Sequence, residues 1–203
     1  MPLSFRPARP GDVDAAVPLI YSSGPDAFDY AFARPGRNSA QDFLRHAFVQ
    51  GGGQFGWRQH TVGELDGKVV AAGTTFGGEA NLGYLLAASR QILGYFGFGA
   101  VGVIHHGLQL ERIICPPPRR TLYLAHLGVD PSVRGEGLGS QLIAHFLERG
   151  RQAGLGMAAL DVSVANPRAQ ALYERFGFEV QVERTSTLPG VNSHRYMQRP
   201  IRD

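Results

Sequence analysis

The sequence predicts a protein of the α/β class, and three observations carry that prediction. Residues 121–129 form an apolar run, ended by a turn at Asp130-Pro131. A helical stripe follows, with Leu138, Leu142, Ile143, Phe146 and Leu147 at spacings of three and four. Asp66-Gly67 separates two alternating runs, 57–64 and 68–76, and is the strongest short hairpin signal in the chain. A further alternation closes the sequence, with an apolar run at 157–164 and a helix opening at Asn166-Pro167, a favoured N-cap followed by a favoured first residue. The 203 residues suit one domain, 1–203. Hydrophobic residues at 43% against 18% charged mark it as globular.

Taken in order, 3–8 reads as a first strand. A turn at Arg9-Pro10 follows, then an N-cap at Asp12 and a stripe of Val13, Val17 and Ile20. Helical pieces at 26–33 and 39–49 bring Phe28, Tyr30, Phe32 and Phe43, for which core packing is favoured over lining a site. The stretch 77–118 is too long for a loop and reads as a helical insertion, with helices at 80–93 and 99–112. Its adjacent His105 and His106 would point about 100° apart on a helix, so they cannot chelate one ion, and no metal site is expected. The second glycine-bounded helix carries Ala169, Leu172 and Phe176 and stops at Gly177. Strands at 178–182 and 194–199 complete the reading.

Composition narrows the partners. The formal charge is +3, without a Lys/Arg run interleaved with aromatics, so nucleic acid is not expected. The lone Cys115 excludes an internal disulfide and fits a reducing compartment. No signal peptide opens the sequence, and the apolar stretch 82–110 is broken by Arg90, glycines and His105-His106. The expectation is a cytoplasmic protein with no membrane span.

The chemistry is concentrated between strand and helix, in Arg134, Gly135, Glu136, Gly137, Leu138, Gly139 and Ser140. Glycines at a helix start let a ligand approach amides that have no helical partner. Those amides, the helix dipole and Arg134 make an anion cradle suited to a pyrophosphate. A Walker loop would need Gly-Lys-Ser/Thr, and Ser140-Gln141 follows Gly139 instead. The dinucleotide fingerprint is half met, with Ser140 at its third small position and no acidic residue at the far end of the next strand. The pattern Arg-x-x-Gly-x-Gly is met in full by Arg134, Gly137 and Gly139. It resembles the acetyl-CoA signature of the GNAT N-acetyltransferase superfamily.

A second stretch resembles that family's other signature: Asn166, Ala169, Leu172, Tyr173, Gly177 and Phe178 all match, one helix and one strand downstream. The resemblance is firm over about 121–182, looser over 3–76 and absent over 77–118. It implies the GNAT fold, a mixed sheet splayed between the strands 121–129 and 157–164, with the acetyl-CoA arm in the gap. The arm would pair with the backbone of Leu127, Gly128 and Val129, with a β-bulge at Gly128, and the pyrophosphate would lie on the amides of 134–140. Glu136 would face solvent, and Asn166 would contact the arm while capping its helix.

The implied activity is direct transfer of an acetyl group to a primary amine, either a small molecule or a peptide N-terminus or lysine. Tyr173 would protonate the departing thiolate of CoA. No glutamate stands on the strand before the glycine loop, so His126 is the candidate base, with Glu111, Tyr123 and a water chain also open. A homodimer is compatible with the family. The alternative is an acyl-CoA-binding module with little turnover. A nicotinamide-dependent oxidoreductase is disfavoured by the missing acidic ribose partner.

Overall fold

The computed structural model describes residues 2–34, 36–77, 82–115 and 117–201, with the side chains of 82–85 left aside. Seven strands form one sheet: β1 (Ser4–Pro7), β2 (His60–Leu65), β3 (Lys68–Phe76), β4 (Thr121–Val129), β5 (Met157–Ser163), β6 (Glu179–Arg184) and β7 (His194–Pro200). Their order is β1-β2-β3-β4-β5-β7-β6, and every neighbouring pair is antiparallel except β4–β5. A parallel pair needs a crossover, supplied here by a helix (α6, Leu138–Gln152). The pairing of β4 with β5 stops after three residues, Thr121↔Met157, Leu122↔Ala158 and Tyr123↔Ala159. From there the strands part, as the resemblance implies.

Helices cover both faces. On one lie α1 (Val13–Ser22), α2 (Pro25–Phe32) and α3 (Ala40–Gln50), packed with α4 (Leu82–Phe96) and α5 (Ala100–Leu110) around buried Phe43, Phe48 and Ile20. On the other, α6 buries the expected stripe Leu138, Leu142, Ile143 and Phe146 against Leu122, Leu124 and Leu160. Helix α7 (Pro167–Arg175) adds Leu172. The two helices expected in the long connection are α4 and α5; the expected start at Ala80 lies outside the described residues. Asp66 and Gly67 both have positive φ, 49° and 76°, the mirror-image turn that matches strand twist. Several boundaries moved by one to three residues. Residues 57–59 wind into a 3₁₀ turn before β2, and Phe178 is buried in the core while β6 starts at Glu179.

The bulge expected at Gly128 lies instead at His126 and Leu127. Gly128 pairs normally with Ala72, whereas the register slips between Thr74↔Ala125 and Ala72↔Gly128, so two residues of β4 face Gly73. His126 takes the strain, with φ at 56°, uncommon for a residue that is not glycine. Gly128 has another reason to be glycine: an added Cβ would stand 2.1 Å from the carbonyl oxygen of Leu19 in α1. That contact is with backbone and cannot yield without moving the helix. Gly128→Ala is therefore expected to destabilise the fold by about 2–3 kcal/mol, the cost of overpacking a dense interior, read as a shifted urea midpoint. An unchanged midpoint would show that α1 is not seated where described.

Candidate active site

The glycine loop folds as a cradle. Pro131–Val133 makes a 3₁₀ turn capped by Asp130, whose side chain accepts from the Ser132 amide at 2.8 Å. Gly135 (φ 91°) and Gly137 (φ 78°) lie in the left-handed region, and nothing stands within 4 Å of where a Cβ would go. Gly137 is the N-cap of α6, so its successors begin the helix with amides that lack helical partners. Gly139 differs, because its face meets Leu172 of α7 at 3.3 Å and sets the spacing of the two helices. Arg134 is exposed and its Nε donates to the Val129 carbonyl at 3.2 Å, while its two terminal nitrogens have no partner among the described residues. Glu136 is exposed and stands outside the cavity lining, as expected.

The cradle opens into a cavity of about 1480 Å³ that runs through the β4–β5 gap to the α1–α5 face of the sheet. Leu127, Gly128, Val129, Asn166 and Tyr173 all line it, together with His126. Asn166 caps α7, its Oδ1 accepting from the Ala169 amide at 3.1 Å. The Tyr173 hydroxyl makes no hydrogen bond among the described residues, and burial pushes its pKa up to about 12, so the phenol keeps its proton throughout the physiological range.

The bulge turns His126 onto the α1–α5 face, where its ring stacks on Phe55 at 5.3 Å and on His60 at 5.4 Å. His60 was not singled out by sequence, yet it fixes the chemistry of His126. Its Nδ1 lies 3.0 Å from the carbonyl oxygen of Gly56, which can only accept, so that nitrogen carries the proton. Neutral His60 then presents a bare Nε2, 3.1 Å from Nδ1 of His126, which must donate to it. The Nε2 of His126 is left with its lone pair and no partner among the described residues. Burial pushes His60 down to about 4 and His126 well below its ordinary value, with His60 adding to the latter, so both rings are neutral at pH 7.

Comparison with known proteins places this geometry. The family described as Acetyltransferase (GNAT) matches residues 41–178, more than half of the chain. The chain belongs to the GNAT acetyltransferase family. A curated relative, [Ribosomal protein bS18]-alanine N-acetyltransferase of Escherichia coli (strain K12), is 33% identical over 66 residues. That match covers 32% of this chain and only 45% of that protein. Among solved structures, an N-acetyltransferase from Staphylococcus aureus Mu50 superposes with a TM-score of 0.71 at 17% identity, over 96% of this chain and 99% of that one. The yncA protein of Salmonella typhimurium, solved with its cofactor acetyl-CoA, superposes with a TM-score of 0.57 at 15% identity, over 100% and 96%. At these identities the likeness is one of fold.

Within this GNAT chain, other expected residues take up places of different kinds. Phe28 and Phe32 line the cavity from α2, whereas Phe43 is core, and Tyr30 is bonded to Gln109 and stacked on His106. His106 Nδ1 lies 2.8 Å from the Tyr30 carbonyl oxygen, which ties α5 to α2. Tyr123 donates to Asp161 at 2.7 Å, and Arg184 reaches the same carboxylate at 3.2 Å. Burial nonetheless pushes Asp161 up to about 6. Asp161 is two residues beyond the last β4–β5 pair and faces the cavity, a position invisible to periodicity because it depends on where the strands separate. The β6–β7 loop is held across this end, where Asp26 of α2 accepts from the amide and side chain of Asn192, each at 2.9 Å.

The neutral histidine pair makes stability depend on pH. A histidine whose folded pKa lies below its unfolded value of about 6.5 costs nothing above 6.5. It costs progressively more as pH falls toward the folded value, because the unfolded chain binds the extra proton. For His60 the window runs from about 6.5 to about 4, a loss of about 3 kcal/mol at 1.36 kcal/mol per unit. His126, His145 and His194 act in the same direction. Urea unfolding at pH 7, 6, 5 and 4.5 should show that decline, with a slope lower by about one proton in His60→Gln; equal slopes would contradict the buried neutral pair.

Proposed function

We propose that this protein transfers an acetyl group from acetyl-CoA to a primary amine by direct attack. The observation that carries the reading is the β4–β5 gap, which joins a helix-terminal amide cradle at one end to a histidine with a bare ring nitrogen at the other. The residues suit the cofactor. Amides of 134–140 and Arg134 match a pyrophosphate, and the unpaired edge of β4 at Leu127, Gly128 and Val129 matches the amides of a pantetheine arm. Acetyl-CoA would supply the thioester, with the chain's residues supplying the rest.

In this reading an outward amide of β4 stabilises the oxyanion. His126 Nε2 takes the proton of the attacking nitrogen as the C–N bond forms. Its Nδ1–H bond to His60 holds the ring in the tautomer that leaves Nε2 free. Tyr173 would give its proton to the sulfur as the C–S bond breaks, and return of the proton from His126 to the phenolate through solvent would reset both groups, so that the net change is a proton passed from amine to thiol. Desolvation beside His126, Phe28 and Phe55 favours the neutral, nucleophilic form of the amine at the point of attack. The similarity to a ribosomal-protein alanine acetyltransferase supports a peptide N-terminus as one acceptor class.

A thermal-shift titration with acetyl-CoA, CoA and NAD is the test. Ligand at about 100 times its dissociation constant adds about 3 kcal/mol, several degrees for a chain of this size, with the CoA ligands and not with NAD. His126→Gln and Tyr173→Phe are expected to keep that shift while thiol release over an amine panel falls about 100-fold or more. Absence of a shift with CoA would overturn the proposal. A shift in wild type without thiol release would leave an acyl-CoA-binding module.

A further inference from the structure

The cavity is divided by charge. Its cofactor half carries Arg134, Arg168 and Arg175, whereas the half between α2, α5 and the sheet is lined by two carboxylates: Asp161 at the floor, already paired with Arg184 at 3.2 Å, and Glu111 at the rim, with no ion-pair partner among the described residues. Between those carboxylates the walls are apolar: Phe28, Phe32, Phe55, Ile92, Val103 and Ile114. The chamber therefore suits a ligand with one cationic group on an apolar body, and it disfavours an anion.

The apolar wall continues out of the cavity. Ile104 and Leu108 of α5 line it and are also 41% and 59% exposed, and Val101, on the same helical face, is 76% exposed. Spacings of three and four place the three in one stripe, which leads to Glu111 at the helix C-cap. From Val101 to Leu108 the stripe is about 10 Å long at 1.5 Å a residue, the length of an alkyl chain of about eight carbons. A soluble surface seldom keeps such a stripe uncovered, and this one begins inside the chamber.

We infer that the acceptor is an amphiphilic primary amine, with its head group at Glu111 and a tail of about eight or more carbons along Val101, Ile104 and Leu108. This rests on the acetyl-transfer reading for the reaction, although the ligand class stands on the cavity alone. A polyamine would bring a second charge to a chamber whose other carboxylate, Asp161, is already paired with Arg184. A fatty acid would bring the wrong charge.

The test is calorimetric titration of the full chain, with CoA present, using butylamine, octylamine, decylamine, decanoate and spermidine. Affinity should rise about three- to four-fold for each buried methylene, so that decylamine binds at least about 100-fold tighter than butylamine. Decanoate and spermidine should bind more weakly than decylamine. The double variant Ile104→Asp/Leu108→Asp changes exposed positions and should keep its acetyl-CoA thermal shift while the decylamine-to-butylamine ratio falls at least about ten-fold.

A flat chain-length series, decanoate equal to decylamine, or spermidine the tightest would each overturn the inference. So would a variant that leaves the ratio intact but turns a dimer into a monomer by light scattering, since the stripe would then belong to a second copy. Tight decylamine binding without any thiol release would refute acetyl transfer and leave the ligand class standing.

Discussion

Everything at the site depends on the loss of pairing between β4 and β5 after Tyr123↔Ala159. Backbone donors and acceptors left on an open strand edge must find water or a ligand. Beyond that point the inner edge of β4 is such a surface, set inside the molecule and lined with side chains from both faces. The crossover helix α6 starts at the outer end of the gap, so its free amides face the same space. One break in the sheet thus creates the open strand edge and the amide cradle together, which is why the glycine loop and the parting strands belong to one device.

The bulge is the second consequence of that geometry. Strict alternation from Tyr123 would send residue 126 to the α6 side. The extra residue opposite Gly73 sends His126 to the α1–α5 side and Leu127 to the core with Phe146. The cost is a positive φ at His126, held by stacking on Phe55 and His60 and by the hydrogen bond to His60. Strain supported by packing is a way to aim a side chain accurately. Here it aims a ring whose proton is already assigned by Gly56 and His60.

Much was legible in the chain itself. Asp66-Gly67, the stripes of α6 and α7 and the Asn166 cap were read correctly because each is a local constraint, decided by the dihedrals or periodicity of a few residues. The two signatures also gave the family. What escaped was non-local. His60 lies 66 positions before its partner, and the half-turn at 57–59 that seats it looked like more strand. Asp161 read as an apolar-run residue, and the bulge was assigned to Gly128, whose glycine instead admits the backbone of α1.

The sequence by itself determined the order of strands and helices, the cradle and the family, because short-range sterics and hydrophobic spacing fix those without knowledge of neighbours. Only the tertiary structure decided which nitrogen of His126 is bare, where the strands part and which carboxylates share the chamber with an apolar stripe. Those depend on groups distant in sequence being brought within hydrogen-bonding or van der Waals range, and on the low dielectric that burial creates around them.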